Sequence, residues 1–154
     1  MPLSGLRQDI IYSTPELLVC VYPSLQLLVI QANGFVPSAV YREGLTRATD
    51  TAIEQRLLYW LVNNKAGGII TPADQIWANE EHAPYLGSHS CIRKMAFIEP
   101  GDLHSKLILE DMMDKARDIY PFAMQFFEEV QDALEWFTDT SSISFHQHFS
   151  TGFH

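Results

Sequence analysis

Leu58-Tyr59-Trp60-Leu61-Val62, followed by Asn63-Asn64-Lys65-Ala66-Gly67-Gly68 and then Thr71-Pro72-Ala73-Asp74, is the stretch that decides the fold. Five consecutive large apolar residues form a short run of the kind found in strands covered on both faces, the environment of a parallel sheet. The polar, glycine-containing residues after it read as a loop. Thr71-Pro72-Ala73-Asp74 then reads as a helix start. A hydroxyl at the N-cap can accept from a free backbone N–H, and proline at the first helical position lacks an N–H that is not needed there. The acid at the third position can reach back to the cap. This helix is expected to end near His82, because Pro84 cannot donate to the preceding turn.

Working towards the amino terminus, Leu17–Tyr22 and Leu25–Ala32 read as strands, with Pro23-Ser24 as the hairpin turn and Asn33-Gly34 closing the second. A shorter run at Ile10–Tyr12 extends the first strand across Pro15. A long helix follows from Pro37 or Ser38 to about Arg56, where Tyr41, Leu45, Ala48 and Ala52 recur on one face.

Towards the carboxyl terminus, Lys94–Ile98 reads as a strand and Pro100-Gly101-Asp102 as a turn. A helix is expected from Leu103 to about Tyr120, with Leu107, Leu109, Met112, Met113 and Ala116 on its apolar side. Ala123–Phe127 reads as another strand and Val130–Phe137 as a short last helix. The order β-β-α-β-α-β-α-β-α predicts an α/β fold, a mixed and mainly parallel five-stranded sheet with helices. One domain is expected over residues 1–138. Residues 139–154 form a tail rich in Ser, Phe and His, with Phe145, Phe149 and Phe153 able to pack on this or a neighbouring molecule.

The 154 residues carry ten basic and nineteen acidic side chains, a net charge of −9. Extended nucleic-acid binding needs a basic face that such a chain is short of. The apolar run Leu17 to Ile30 is broken by Tyr22, Pro23, Ser24 and Gln26, so no membrane span is expected, and the first residues make a poor secretory signal. A cytoplasmic protein is the resulting expectation. Cys20 and Cys91 lie in or beside apolar segments and read as two reduced, buried thiols.

Four groups of residues together carry a family resemblance. They are Gly34-Phe35-Val36-Pro37-Ser38 leading into Tyr41-Arg42; Trp60-Leu61-Val62-Asn63 with Ile70 through Trp77; Lys94 through Ile98; and Gln125-Phe126-Phe127 with Ala133 through Trp136. They resemble small bacterial proteins with the STAS-like fold, a superfamily that includes anti-sigma-factor antagonists and, in a related arrangement, the CRAL-TRIO lipid carriers. The resemblance covers about residues 10 to 137. It implies a strand ending in Asp or Asn, here Asn63, and a loop leading to a helix start where the antagonists carry a phosphorylated serine. Thr71 is the one hydroxyl at this helix start, and capping already gives it a structural role.

The resemblance implies a regulatory, non-enzymatic domain that docks a protein partner through Asn63, Asn64, Lys65, Thr71, Asp74 and Trp77. The alternative is a carrier of a lipid or other apolar small molecule, suggested by Met112, Met113, Phe122, Met124, Phe126 and Phe127. Neither a cofactor nor a resident metal is expected. His146 and His148, with His154, could share a face but lack the Cys/His framework of a specific site. Gly67-Gly68 lacks the rest of a phosphate-binding motif. Glu80-Glu81-His82, Glu110-Asp111 and Glu128-Glu129 read as solvated edges, and His89 and His104 as surface groups. Trp60, Trp77 and Trp136 read as core or seam fillers. The antiparallel edge strand and the tail offer surface that a second copy could cover in a homodimer.

Overall fold

The computed structural model describes residues 3–117 and 120–139. Six strands lie in sequential order, β1 (Asp9–Ser13), β2 (Leu17–Tyr22), β3 (Leu27–Phe35), β4 (Tyr59–Ile69), β5 (Lys94–Ile98) and β6 (Ala123–Phe127). The first two pairings, β1–β2 and β2–β3, are antiparallel; the next three are parallel. The sheet is therefore mixed, as expected, with six strands in place of five. The extra strand is Asp9–Ser13, which pairs with β2 as an edge instead of prolonging it. Thr14 makes the separating turn, its hydroxyl accepting from the N–H of Glu16 and Leu17.

Helix α1 (Ser38–Glu54) joins β3 to β4, and α4 (Leu103–Ala116) joins β5 to β6. Between β4 and β5 runs one helical unit of three parts: α2 (Pro72–Trp77), a π segment (Ala78–His82) and α3 (Ala83–His89). Expectation and structure part company here, since the helix does not stop at His82. Pro84 removes the N–H that an α-turn would aim at Glu80, and the chain widens into a π turn instead of ending.

Each parallel connection steps in the same direction across the sheet. Crossovers of one hand then put every connecting helix on the same face. The packing agrees: Tyr41, Leu45, Ala48 and Ala52 of α1, Ala78 and Leu86 of the middle unit, and Leu109 and Met113 of α4 share one core with Val19, Ile30, Trp60, Met95 and Phe97. The four expected apolar positions of α1 are all buried. Leu107 is exposed, contrary to expectation, because α4 turns Leu109 and Met113 inward. Met112 and Ala116 lie outside the described side chains. The opposite face carries α5 (Val130–Thr138), which packs Ala133, Leu134 and Phe137 on Cys20, Leu61, Ala96 and Ile98.

The second correction concerns residues 63 to 68. They continue β4 as a strand, paired with β3 as Asn33↔Ala66 and Gly34↔Gly67. Strand β5 has already ended opposite Asn63, so β3 and β4 run on together as a two-stranded parallel ribbon. Glycine is what permits this. Gly67 has φ +133°, and a Cβ there would sit 2.5 Å from the Gly34 nitrogen.

Cys20 is buried, but Cys91, in the turn before β5, is exposed. The phenylalanines and histidines of the tail, His146, His148 and His154 included, lie outside the described residues. No described helix is long and apolar enough to cross a membrane.

Candidate functional site

The carboxyl ends of β3, β4 and β5, with the helix starts that follow them, form one rim of the sheet, where open α/β sheets place ligands. All six site residues expected from the sequence lie on β4 or the helix after it, but they face different ways. Along β4, Trp60 belongs to the helix-rich face and Leu61 to the α5 face. Period-two alternation then carries Val62 and Asn64 onto the helix-rich side. Asn64 is 3 % exposed, and its Nδ2 has no hydrogen-bond partner. Asn63 is half-buried, its Oδ1 accepting from the Lys65 N–H at 3.0 Å. Lys65 is exposed and reaches across the end of β5 to the residues after β6, with Nζ 2.7 Å from Glu129 Oε2 and 2.9 Å from the Glu128 carbonyl.

Thr71 caps α2 as expected, its hydroxyl 3.3 Å from the Asp74 N–H. Asp74 does not reach back to the cap as expected; its carboxylate turns to α1 instead. It is fully buried, and Oδ1 accepts from Ser38 Oγ at 2.7 Å and from Arg42 Nε at 2.8 Å, which fastens the starts of α1 and α2 together. Burial alone would push the Asp74 carboxyl up, but hydrogen bonds from Ser38 and Arg42, with the Arg42 charge, hold it below the usual carboxylate range. Its second oxygen, Oδ2, has no partner. The Arg42 guanidinium also lies 5.1 Å from the centre of the Trp77 ring, whose edge meets Tyr41. Trp77 is half-buried and seals a helix seam, as Trp136 does on the other face; Trp60 is in the core.

Behind Trp77 sits His82, read from the sequence as part of a solvated edge. Glu80 and Glu81 are exposed, but the π turn swings His82 inward, where it is buried. Its Nε2 meets the Thr49 hydroxyl, and the backbone of Leu45 is its second partner. Burial pushes the imidazole down to about 4, so the ring is neutral at pH 7. The hint in the sequence was Pro84 two residues later, since a proline inside a continuing helix shifts the phase of the residues before it.

Glu99, at the end of β5, was missed altogether. Its side chain is 11 % exposed and lies 3.5 Å from Lys106 Nζ. Burial and a shared hydrogen bond with Glu110 push its carboxyl up to about 7. Glu99 and Glu110 are eleven positions apart, and only the turn into α4 brings them together. His89 and His104 are exposed, as expected.

A cavity of about 60 Å³ lies between the sheet and the helices, lined by Tyr41, Trp60, Asn64, His82, Met113 and Tyr120 among others. Among the described residues, no three His, Cys, Asp or Glu side chains gather closely enough to hold a metal ion. Compared with known proteins, the chain matches no family model, no curated protein and no solved structure.

Proposed function

We propose that this chain is a non-enzymatic interaction domain that docks a protein partner at the carboxyl rim of its sheet, in a regulatory role similar to that of STAS antagonists. One observation carries the reading. Of the six large apolar side chains exposed among the described residues, four stand at this rim: Phe35 at the end of β3, Ile76 on α2, and Leu103 and Leu107 in the first turns of α4. Exposed apolar groups gathered at one end of a fold suit a partner's apolar segment. Two of the rim's charged groups are already engaged, Lys65 with Glu129 and Asp74 Oδ1 with Ser38 and Arg42, which supports binding over catalysis by these groups.

The docking surface differs from the one expected. Asn64 and Asp74 are buried and shape the rim from within, while Phe35 and Ile76 take their place on the outside. The carrier reading has less support: the described pockets, of about 60, 180 and 240 Å³, all fall below the roughly 300–1,000 Å³ of ligand pockets. The test is affinity capture from native lysate with wild type and with Phe35→Ser/Ile76→Ser. A stoichiometric protein partner, lost in the double variant while its circular dichroism is unchanged, is the expected result. Retention by the double variant would refute the rim as the docking surface.

A further inference from the structure

The cavity beneath the β3–β4 ribbon combines three features. First, its walls are mostly aliphatic or aromatic, yet Asn64 lines it with a buried amide nitrogen that lacks an acceptor. A buried N–H left unpaired loses its hydration with nothing in return. Second, the π segment supplies part of the lining through Asn79 and His82, and π turns often accompany functional sites. Third, Val62, Ile70, Asn79 and Tyr120 are lining residues that are only half-buried, so the cavity approaches the surface near the rim.

Size and charge narrow the occupant. A cavity of roughly 150 Å³ holds benzene. By that ratio, about 60 Å³ admits a group of roughly two to three heavy atoms. The described lining residues include neither a lysine nor an arginine, and the nearby Asp74 is already paired with Arg42. An ion entering here would lose its hydration without gaining a counter-charge. We propose that this cavity binds the end of a small neutral molecule, a short apolar group bearing one acceptor oxygen of carbonyl or amide type that takes the Asn64 amide proton. The inference is independent of the docking surface, because Phe35 and Ile76 are not among the lining residues.

Acetone and acetamide are suitable probes, since the carbonyl carbon, its oxygen and one methyl match the cavity while the fourth heavy atom stays at its half-buried mouth, with propene as an apolar control. The readout is the Asn64 side-chain amide resonance, with the Met95 and Met113 methyl signals as a report on the walls. Acetone or acetamide should shift the amide resonance saturably and bind at least about tenfold more tightly than propene, the worth of one hydrogen bond in such a site. In Asn64→Leu, the methyl signals should stop responding to the carbonyl probes. The titration of the wild type decides the matter even if that variant folds poorly. Absence of a saturable shift, equal binding of propene, or a long-lived water at Asn64 that neither carbonyl probe displaces would each overturn the proposal.

Discussion

Lys94 and Asn64 stand on the adjacent strands β5 and β4, and both side chains are at least 97 % buried. Lys94 faces α5. Its ammonium donates to the carbonyls of Trp136, Phe137 at 3.4 Å and Asp139 at 3.1 Å, and it lies 4.8 Å from the Trp136 ring centre. A cation thus occupies the carboxyl end of a helix, where free carbonyls and the helix dipole both favour it. Burial still pulls the amine down from its ordinary value, with Asp139 opposing. Asn64 faces the helix-rich side, where its amide nitrogen has no acceptor and Asp74 Oδ2 is likewise unpaired. Among the described residues, one face of the sheet meets its buried polar groups within the fold, and the other leaves two unmet beside the rim and the cavity. Unmet buried groups cost stability, so their concentration on one side separates the part that holds the fold together from the part available for binding.

The largest expected effect strikes the satisfied face. Lys94→Met should remove the partner of the α5 carboxyl-terminal carbonyls and destabilise the protein by about 3 kcal/mol in urea unfolding. A change within about 0.5 kcal/mol would mean that the lysine only tolerates its site, and the contrast with Asn64 would fail.

On the helix-rich face, pH should act through two groups of opposite sign. His82 has a folded value of about 4 against an ordinary 6.5, so its contribution is present above pH 6.5 and lost as pH falls through 4. Glu99 has a folded value of about 7 against an ordinary 4.5, so its contribution is present below pH 4.5 and lost as pH rises through 7. The two slopes oppose one another in the wild type. Glu99→Gln should expose the histidine slope, a gain approaching about 3 kcal/mol between pH 4 and 6.5. His82→Gln should leave a falling slope; identical pH profiles for the two variants would contradict both environments.

Gly67→Ala should strain the ribbon, because the added Cβ meets the Gly34 backbone at a φ that side chains rarely adopt. A loss of about 1–2 kcal/mol is expected, with faster hydrogen exchange confined to β3 and β4 beyond Asn63. Uniform acceleration across the sheet would show that the ribbon is no separate unit. The smallest effect belongs to Lys65→Ala, below about 0.5 kcal/mol, since both it and Glu129 are more than half exposed. A larger cost would place Lys65 among the groups that hold the fold.

Most of the fold was legible because it rests on local patterns. The β5 and β6 ranges, the buried stripe of α1 and the Thr71 cap follow from apolar periodicity and from one hydroxyl beside a proline. The ribbon was not legible, because Asn63-Asn64-Lys65-Ala66-Gly67-Gly68 has the composition of a loop, and only pairing between Gly34 and Gly67 makes it a strand. With β4 ended at Val62, nothing places Asn64 in the core, whereas two more residues of strand put it there by parity. His82 was hidden in the same way by ending the helix at Pro84. Asp74 is legible only as an acid in the first turn of α2; its bonds to Ser38 and Arg42 in place of the cap depend on two helix starts far apart in sequence. Lys94 offered no signal, since a lysine opening a strand is ordinarily solvent-facing.

The most direct test of the difference between the faces is the stability of Asn64→Leu, measured beside Lys94→Met in the same denaturant titration. Replacing an unpaired amide with an apolar group of similar size should leave the protein as stable as wild type or more so, by up to about 1 kcal/mol. A loss as large as that of Lys94→Met would show that Asn64 serves the fold, and its amide would then be no unmet group kept for binding.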